Sequence, residues 1–369
     1  DVEREADHLL VNGQEVPIRG VNLTTADPED VERAREVHAT VARAHAHVLP
    51  PAVYEACDEA GLLVWQDLPL TGPGEFDEDR AARLANGIVD TYSRFPSLGL
   101  LGVHDDPTDV FGDGLGSGFL DGLRLRWRTW RTSYDPGPAE RVAAEVDTDR
   151  PVVPVVGGPG SGADVAALYP GWDYGEAASI GSLLERYPAE IVAEFGAGAY
   201  AAEAVEEAAG FDADRHDRHV TPDGDDAVAA SQAYQAEVVE TVAEHLRQEG
   251  FGAVAFALRD TDAAGMGVYG ANGTPKASKD ALAAAYSPIQ AFLADPSTGD
   301  TEVVVRNDGP NGLTVTITWE AGGDSGTIEG TVDANGRWTG GPISIPNGAT
   351  SVDLTLTVGD AVVENTYDL

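Results

Sequence analysis

Ile191-Val192-Ala193-Glu194-Phe195-Gly196 is the stretch on which the reading of this chain turns. A short apolar run delivers one carboxylate to its end, and Gly196 follows almost at once. Parallel barrels present catalytic acids in this way, because their active sites form where the strands finish. Taken alone, the segment fits a barrel-rim ion pair equally well. A second carboxylate site lies upstream, in Ser97-Leu98-Gly99-Leu100-Leu101-Gly102-Val103-His104-Asp105-Asp106-Pro107. Two carboxylates on two strand ends are the minimal machinery of glycoside hydrolysis.

Outward from these two sites, apolar strand-like runs alternate with amphipathic helical patterns through the first three quarters of the chain. Strands are expected at 16–22, 40–47, 62–68, 98–104, 151–157, 190–197 and 253–260, with helices at 28–38, 51–60, 77–95, 139–146 and 226–250. Near-continuous apolar strands alternating with helices signal a parallel sheet covered by helices. About eight such units over about 250 residues make a (β/α)8 TIM barrel, an α/β fold. The eighth strand is expected at 166–172 or 177–183. An open doubly wound sheet is the alternative, but no Gly-rich fingerprint follows the first strand. Asp295-Pro296-Ser297-Thr298-Gly299-Asp300 has the composition of a linker. Beyond it, 301–307, 313–320, 327–332 and 351–358 alternate apolar and polar residues between turn signals, as in a small all-β, Ig-like sandwich. The expected division is a barrel over 1–295 and a sandwich over 300–369. Gly112–Gly122 reads as an irregular, Gly-rich loop, a mobile lid or an insertion.

The chain has 369 residues, with 63 acidic against 23 basic and a net charge of -40. Lys276 and Lys279 are its lysines; the other basic residues are arginines. Such a surface repels nucleic acid and anionic membranes. The carboxylates are spread among Ala- and Val-rich runs, so disorder is a poor explanation. Adaptation to high salt is the expectation, since screening removes the self-repulsion. One cysteine, Cys57, allows no intrachain disulfide, and its helical setting marks it as a buried structural thiol. No apolar run is long enough to cross a bilayer, and no signal peptide is visible. The chain starts at Asp1 without Met, as a processed or trimmed product would, so its localisation stays open between a high-salt cytoplasm and secretion.

The barrel region opens with Leu10-Val11-Asn12-Gly13-Gln14-Glu15-Val16-Pro17-Ile18-Arg19-Gly20-Val21-Asn22. Arg43, His45, His47 and 54–67, ending in Leu63-Val64-Trp65-Gln66-Asp67, follow. Then come Pro96-Ser97, Arg150-Pro151-Val152-Val153-Pro154, Gly171-Trp172-Asp173-Tyr174, Gly267-Val268-Tyr269 and Pro275-Lys276-Ala277. As an ordered set, spanning nearly all of the first 295 residues, they resemble glycoside hydrolase family 2, the β-galactosidases, β-glucuronidases and β-mannosidases, most closely the mannosidase-like members. The resemblance implies an exo-acting β-glycosidase of β-mannoside or β-galactoside type, with Glu194 as nucleophile. It aligns the family's Asn-Glu acid/base pair with Asp105-Asp106, so Asp106 stands for the acid. It also sets Arg43, His45, His47, Asp105, Trp172, Asn22 and Trp65 around the sugar, and implies no cofactor.

Several positions depart from the family's pattern. Asp105 replaces an Asn whose amide would donate to the sugar, and an ionised Asp only accepts. Asp106 is one methylene shorter than Glu, which retracts the acid by about 1.5 Å; a misplacement of about 1 Å can cost on the order of a hundredfold in rate. Backbone shift could recover that reach. A wider gap could instead admit water and favour inversion, which needs about 6.5–9.5 Å between carboxyls rather than the 5–5.5 Å of retention. Leu101 stands where a Trp is usual, and Phe256-Ala257-Leu258-Arg259-Asp260 lacks the family's Trp and Asn.

Bland readings accompany the others. His45 and His47 alternate on one strand and so share a face; no further ligands at metal spacing support a metal site. His216 and His219 lie in an Asp/Arg-rich loop and read as solvated. Trp65 and Trp172 can stack on a sugar or simply pack. Trp127 and Trp130, among Arg124, Arg126, Arg128 and Arg131, form the basic cluster of the chain, an internal ion-pair patch or a subunit contact. Two functions therefore stand. One is a β-glycosidase acting on carbohydrate, without nucleic-acid or membrane partners. The other is a catalytically degenerate barrel serving as a carbohydrate-binding or structural module of a larger assembly, because the two sandwich domains that precede the family's barrel are absent and a missing domain or partner subunit would be needed to wall the site.

Overall fold

The computed structural model describes residues 1–112, 114–201, 211–220 and 227–369. The chain divides into two compact units, one of residues 1–246 and 251–283, the other of 247–250 and 284–369.

In the first unit eight parallel strands close into a barrel. They are β1 (Arg19–Leu23), β2 (Val41–Ala44), β3 (Leu63–Asp67), β4 (Leu98–Asp105), β5 (Val152–Gly157), β6 (Val165–Ala167), β7 (Ile191–Glu194) and β8 (Gly252–Ala255). Their order is β7-β8-β1-β2-β3-β4-β5-β6, and β6 closes on β7. Alternation along the strands separates two cores. Val41, Trp65, Leu100, Val153, Val165, Ile191 and Val254 pack together, while Leu101, Val103 and Val155 face the helices Glu78–Tyr92 and Gly137–Glu145. With both faces covered, every residue of β4 is buried, which is why these strands read as unbroken apolar runs. Val2 and Leu9, from the antiparallel strands Val2–Glu5 and His8–Val11, join the inner core.

The sequence left the eighth strand between two segments. The structure makes it Val165–Ala167, and turns 177–186 into helix. Three residues are too few to display a period, and the connection after β5 carries no helix to mark them off. Against the expected ends at 47 and 104, β2 ends early and β4 runs one residue further. β2 stops at Ala44, and Ala46 turns at φ +55°. β4 stops at Asp105, and Asp106 takes φ +43°. Both breaks occur where side chains turn toward the site. Of the expected loop 112–122, residues from Phe119 onward form a helix, Phe119–Arg131, and Asp113 lies outside the described residues, as does Asp226 at the start of the expected helix 226–250.

The second unit holds β9 (Ile289–Leu293), β10 (Gly299–Asn307), β11 (Leu313–Ala321), β12 (Asp324–Val332), β13 (Gly336–Ile345), β14 (Ser351–Val358) and β15 (Ala361–Asp368). A three-stranded sheet β9-β10-β13 and a four-stranded sheet β12-β11-β14-β15 share a core of Val303, Val305, Ile317, Leu354 and Leu356. The Asp295-to-Asp300 stretch lies inside this unit, at the turn of the antiparallel β9–β10 pair. Pro, Ser and Gly serve a hairpin turn as readily as a linker.

Candidate active site

Five strands bring polar groups to the same end of the barrel. They are Asn22 of β1, Arg43 of β2, Asp67 of β3, Asp105 of β4 and Glu194 of β7, all buried. In a parallel barrel each of these is the last or nearly last residue of its strand, so closure of the sheet gathers them without any of them being close in sequence.

Arg43 is the hub. Its Nη1 donates to Glu194 Oε1 at 2.7 Å and to Asn22 Oδ1 at 3.2 Å, and its Nη2 donates to Asp105 Oδ1 at 2.6 Å. Asp67 Oδ2 makes a further ion pair with Nη2 at 2.8 Å. The guanidinium lies 5.1 Å from the Trp65 ring centroid. Asn22 Nδ2 donates to the carbonyls of Ala193 and Ala255 at 2.9 and 3.1 Å, tying β1 to β7 and β8.

The second oxygens are also engaged. Tyr169, two residues past β6, donates its hydroxyl to Glu194 Oε2 at 2.6 Å. Thr71 donates to Asp105 Oδ2 at 3.0 Å. His45 Nε2 lies 3.1 Å from Asp105 Oδ2 and 3.4 Å from Glu194 Oε1. Phe256 meets His45 edge-on at a centroid distance of 4.9 Å and Tyr169 at 6.3 Å. An aromatic ring thus stands at the end of β8 where the resemblance's Trp is lacking.

Burial and mutual charge set the protonation of this cluster. For His45 burial opposes the charged form, but Glu194 and Asp105 outweigh it and push the imidazole up to about 10. Burial also works against ionised Asp105, yet Arg43 and His45 hold it well below the usual carboxylate range. Asp67 is raised to about 6 by burial, against the pull of Arg43. Asp106 is pushed well above the carboxylate range, first by burial, then by the negative charges of Glu194 and Asp105. The Asn-to-Asp departure at 105 is therefore balanced here by an imidazolium. The φ of Asp106 lies in the left-handed region, where Asp is enriched among non-glycine residues. His45, Asp105 and Glu194 offer ligand atoms within 4.8 Å of one another. Those oxygens already face Arg43, and a histidine ligand must be unprotonated, so the donor set fits a proton better than a metal ion.

A cleft of about 380 Å³ is lined by Thr71, Gly72, Asp106, Tyr169, Asp173 and Arg215, among others. Asp173 pairs with Arg215 and is raised to about 6 by burial. A separate cavity of about 300 Å³ is bounded by Gln232, Asp262, Gly270 and Lys276. Its Lys276 Nζ is held by Asp260 at 2.5 Å and by the carbonyls of Ala199 and Gly265 at 3.1 Å.

The structure gathers Glu194, Asp106, Asp105, Arg43, His45 and Asn22. Trp65 stays with them beneath Arg43, covered, and His47 and Trp172 turn to other partners. His47 does not share a face with His45: the strand has ended, and its Nδ1 lies 3.0 Å from the His45 carbonyl oxygen. Trp65 is 0% exposed and packs beneath Arg43, and Trp172 is 5% exposed and packs against Phe211 and His219. His216 is buried, not solvated, with Nε2 2.8 Å from Ser231 Oγ. Tyr169, Thr71 and Asp67 were not singled out from the sequence. Asp67 closes an apolar strand as Glu194 does and could have been found by that signal. Tyr169 follows the strand too short to recognise.

No family model matches the chain, and no curated protein matches it. Solved structures do. The β-D-mannosidase of Dictyoglomus thermophilum superposes with a TM-score of 0.77 at 18% identity, over 100% of this chain and 53% of that one. The exo-chitosanase CsxA of Amycolatopsis orientalis gives 0.69 at 16%, over 100% and 51%. The β-glucuronidase of Parabacteroides merdae gives 0.55 at 13%, over 99% and 52%. The chain spans about half the length of these proteins. At such identities the likeness establishes a shared fold.

Proposed function

We propose that this chain carries the catalytic barrel of an exo-acting β-glycosidase of the family 2 type, with Glu194 as nucleophile and Asp106 as acid/base. The observation that carries the reading is the contrast between two neighbouring carboxyl groups on different strand ends. Glu194 is paired with a guanidinium, whereas burial and the charges of Glu194 and Asp105 push Asp106, on the cleft wall, toward its protonated form. Environments that differ in this way divide the roles of attacking base and proton donor. The names of the structural neighbours, each acting on a carbohydrate, support the substrate class.

In the first step Glu194 attacks the anomeric carbon, the glycosidic C–O bond breaks, and the Asp106 proton passes to the leaving oxygen. In the second, Asp106, now a carboxylate, takes a proton from water, whose oxygen displaces Glu194 from the sugar. Tyr169 and Arg43 hold Glu194 in one orientation, and Asp105, bound by Arg43, Thr71 and His45, can only accept from a sugar hydroxyl. The sugar itself is selected by the loops around the cleft.

One observation favours the second reading, a degenerate barrel that binds carbohydrate or serves as a structural module. Glu194 is 2% exposed with both carboxylate oxygens engaged, and a nucleophile must reach its substrate. A panel of aryl β-glycosides in molar salt separates the two. An aryl leaving group of low pKa needs little protonation. Cleavage should vanish in Glu194→Gln. In Asp106→Asn it should persist on activated substrates and fall by about 10²–10⁴-fold on unactivated ones. Sugar binding without turnover on any substrate selects the degenerate barrel.

A further inference from the structure

The helix Phe119–Arg131 presents its larger apolar side to solvent. Phe119 is 82% exposed, Leu120 64%, Leu123 43%, Trp127 55% and Trp130 80%. Leu125 is buried on the opposite face, and Arg128 on that side donates to the carbonyls of Val110 and Phe111. At 3.6 residues per turn, positions 120, 123, 127 and 130 form one continuous stripe. Arg124, Arg126 and Arg131 flank it, and Arg131 lies 4.8 Å over the Trp127 ring. An exposed stripe of this size marks an interaction surface.

We propose that this stripe is a two-fold interface with a second copy of the same chain, the two helices packing antiparallel through the stripe with the two-fold axis at the level of residue 125. Three features point to that occupant. The stripe is complementary to itself in size: when the helix is reversed about that axis, Trp130 of one copy meets Leu120 of the other, and Trp127 meets Leu123. Large side chains then fill the space beside small ones, and the contact is isologous, the commonest closed arrangement. The second feature is charge. The helix carries four arginines and one aspartate, but the chain as a whole has a net charge of -40, which disfavours an anionic occupant such as lipid or nucleic acid. The third is area. The five exposed side chains offer roughly 700 Å² per copy, given about 150–250 Å² for each buried aromatic, and two copies then reach roughly 1,400 Å², within the range of specific interfaces.

The test is the mass in solution in molar salt, by sedimentation or light scattering from low to high micromolar protein. The expected result is a species of twice 38.6 kDa that becomes monomeric in the Trp127→Glu/Trp130→Glu variant, with an unchanged circular dichroism spectrum. Oxidation of an equimolar mixture of Leu123→Cys and Trp127→Cys chains checks the register without disturbing the fold. Mixed disulfide dimers should exceed the sum of the two like-with-like dimers, which random pairing would only equal, and Cys57 is buried and does not compete. A wild-type monomer at every concentration overturns the proposal. So does a dimer that survives the double Glu substitution, or mixed crosslinks no more abundant than the like-with-like ones together. A monomer that binds vesicles containing an anionic phospholipid, and releases them in the double variant, assigns the stripe to a membrane instead.

Discussion

Asp105 and His45 are best understood as one unit. The carboxylate accepts from Arg43 and Thr71 and faces the His45 ring at 3.1 Å. Glu194 and Asp105 together hold the imidazolium, and replacing Asp105 with Asn removes one of those two charges. In Asp105→Asn the His45 value should therefore fall from about 10 toward its ordinary value of about 6.5, read from the histidine ring protons by NMR titration. A value that stays near 10 would assign the shift to Glu194 alone. The same pair has a stability consequence. The folded value of His45 lies above the unfolded one, so its contribution is complete below about pH 6.5 and is lost as pH rises through about 10. The melting temperature of wild type should decline across that window more steeply than that of His45→Gln, and parallel curves would refute the linkage. Removing Arg43 is a harsher change. It strands three buried carboxylates, a loss of about 3–5 kcal/mol for one broken pair.

The strands impose their own requirement, visible at Gly102 in β4. A Cβ there would lie 2.1 Å from Asp67 Oδ1 and 3.0 Å from Trp65 Nε1 of β3. Only a glycine lets the adjacent strand place both the Arg43 partner and the ring beneath it. Gly102→Ala should destabilise by about 1–3 kcal/mol through forced displacement, and it should also disturb the Arg43 cluster. Gly87, in the helix Glu78–Tyr92, has nothing within 4 Å of the corresponding position. Gly87→Ala should instead stabilise by about 0.5–1 kcal/mol, since alanine loses less backbone freedom in a helix. Denaturant midpoints of the two variants should move in opposite directions. Both moving downward would refute the gain at Gly87, and both moving upward would refute the steric requirement at Gly102.

Across the whole molecule the dominant quantity is charge. With 63 acidic and 23 basic residues, self-repulsion opposes the folded state until ions screen it, and the screening length shrinks from about 10 Å at 0.1 M to about 3 Å at 1 M. We propose that the protein is adapted to such conditions. Its melting temperature should rise steeply from millimolar to molar salt, and structure should be lost on dialysis into low salt. A melting temperature that does not change with salt would refute the adaptation.

The sequence by itself determined the class of fold and the strand ends that matter. Strand periodicity, apolar continuity and turn chemistry are local properties, and Glu194, Arg43 and Asp105-Asp106 stand at the ends of long or sharply bounded runs. The three-residue β6 was left between two segments, the first of which overlaps it, because so short a strand has no period, and Tyr169 just beyond it was not singled out. His47 was misplaced because a turn at Ala46 broke an alternation that the residue types alone continue. Trp65 and Trp172 were left between stacking on a sugar and plain packing because residue type does not say how deep below a cleft a side chain lies. Only closure of the barrel decided those points, and the same closure set the charges. Whether a carboxyl holds its proton depends on burial and on neighbours far away in the chain, and Asp106 acquires Glu194 as a neighbour only when β4 and β7 are bent into one cylinder.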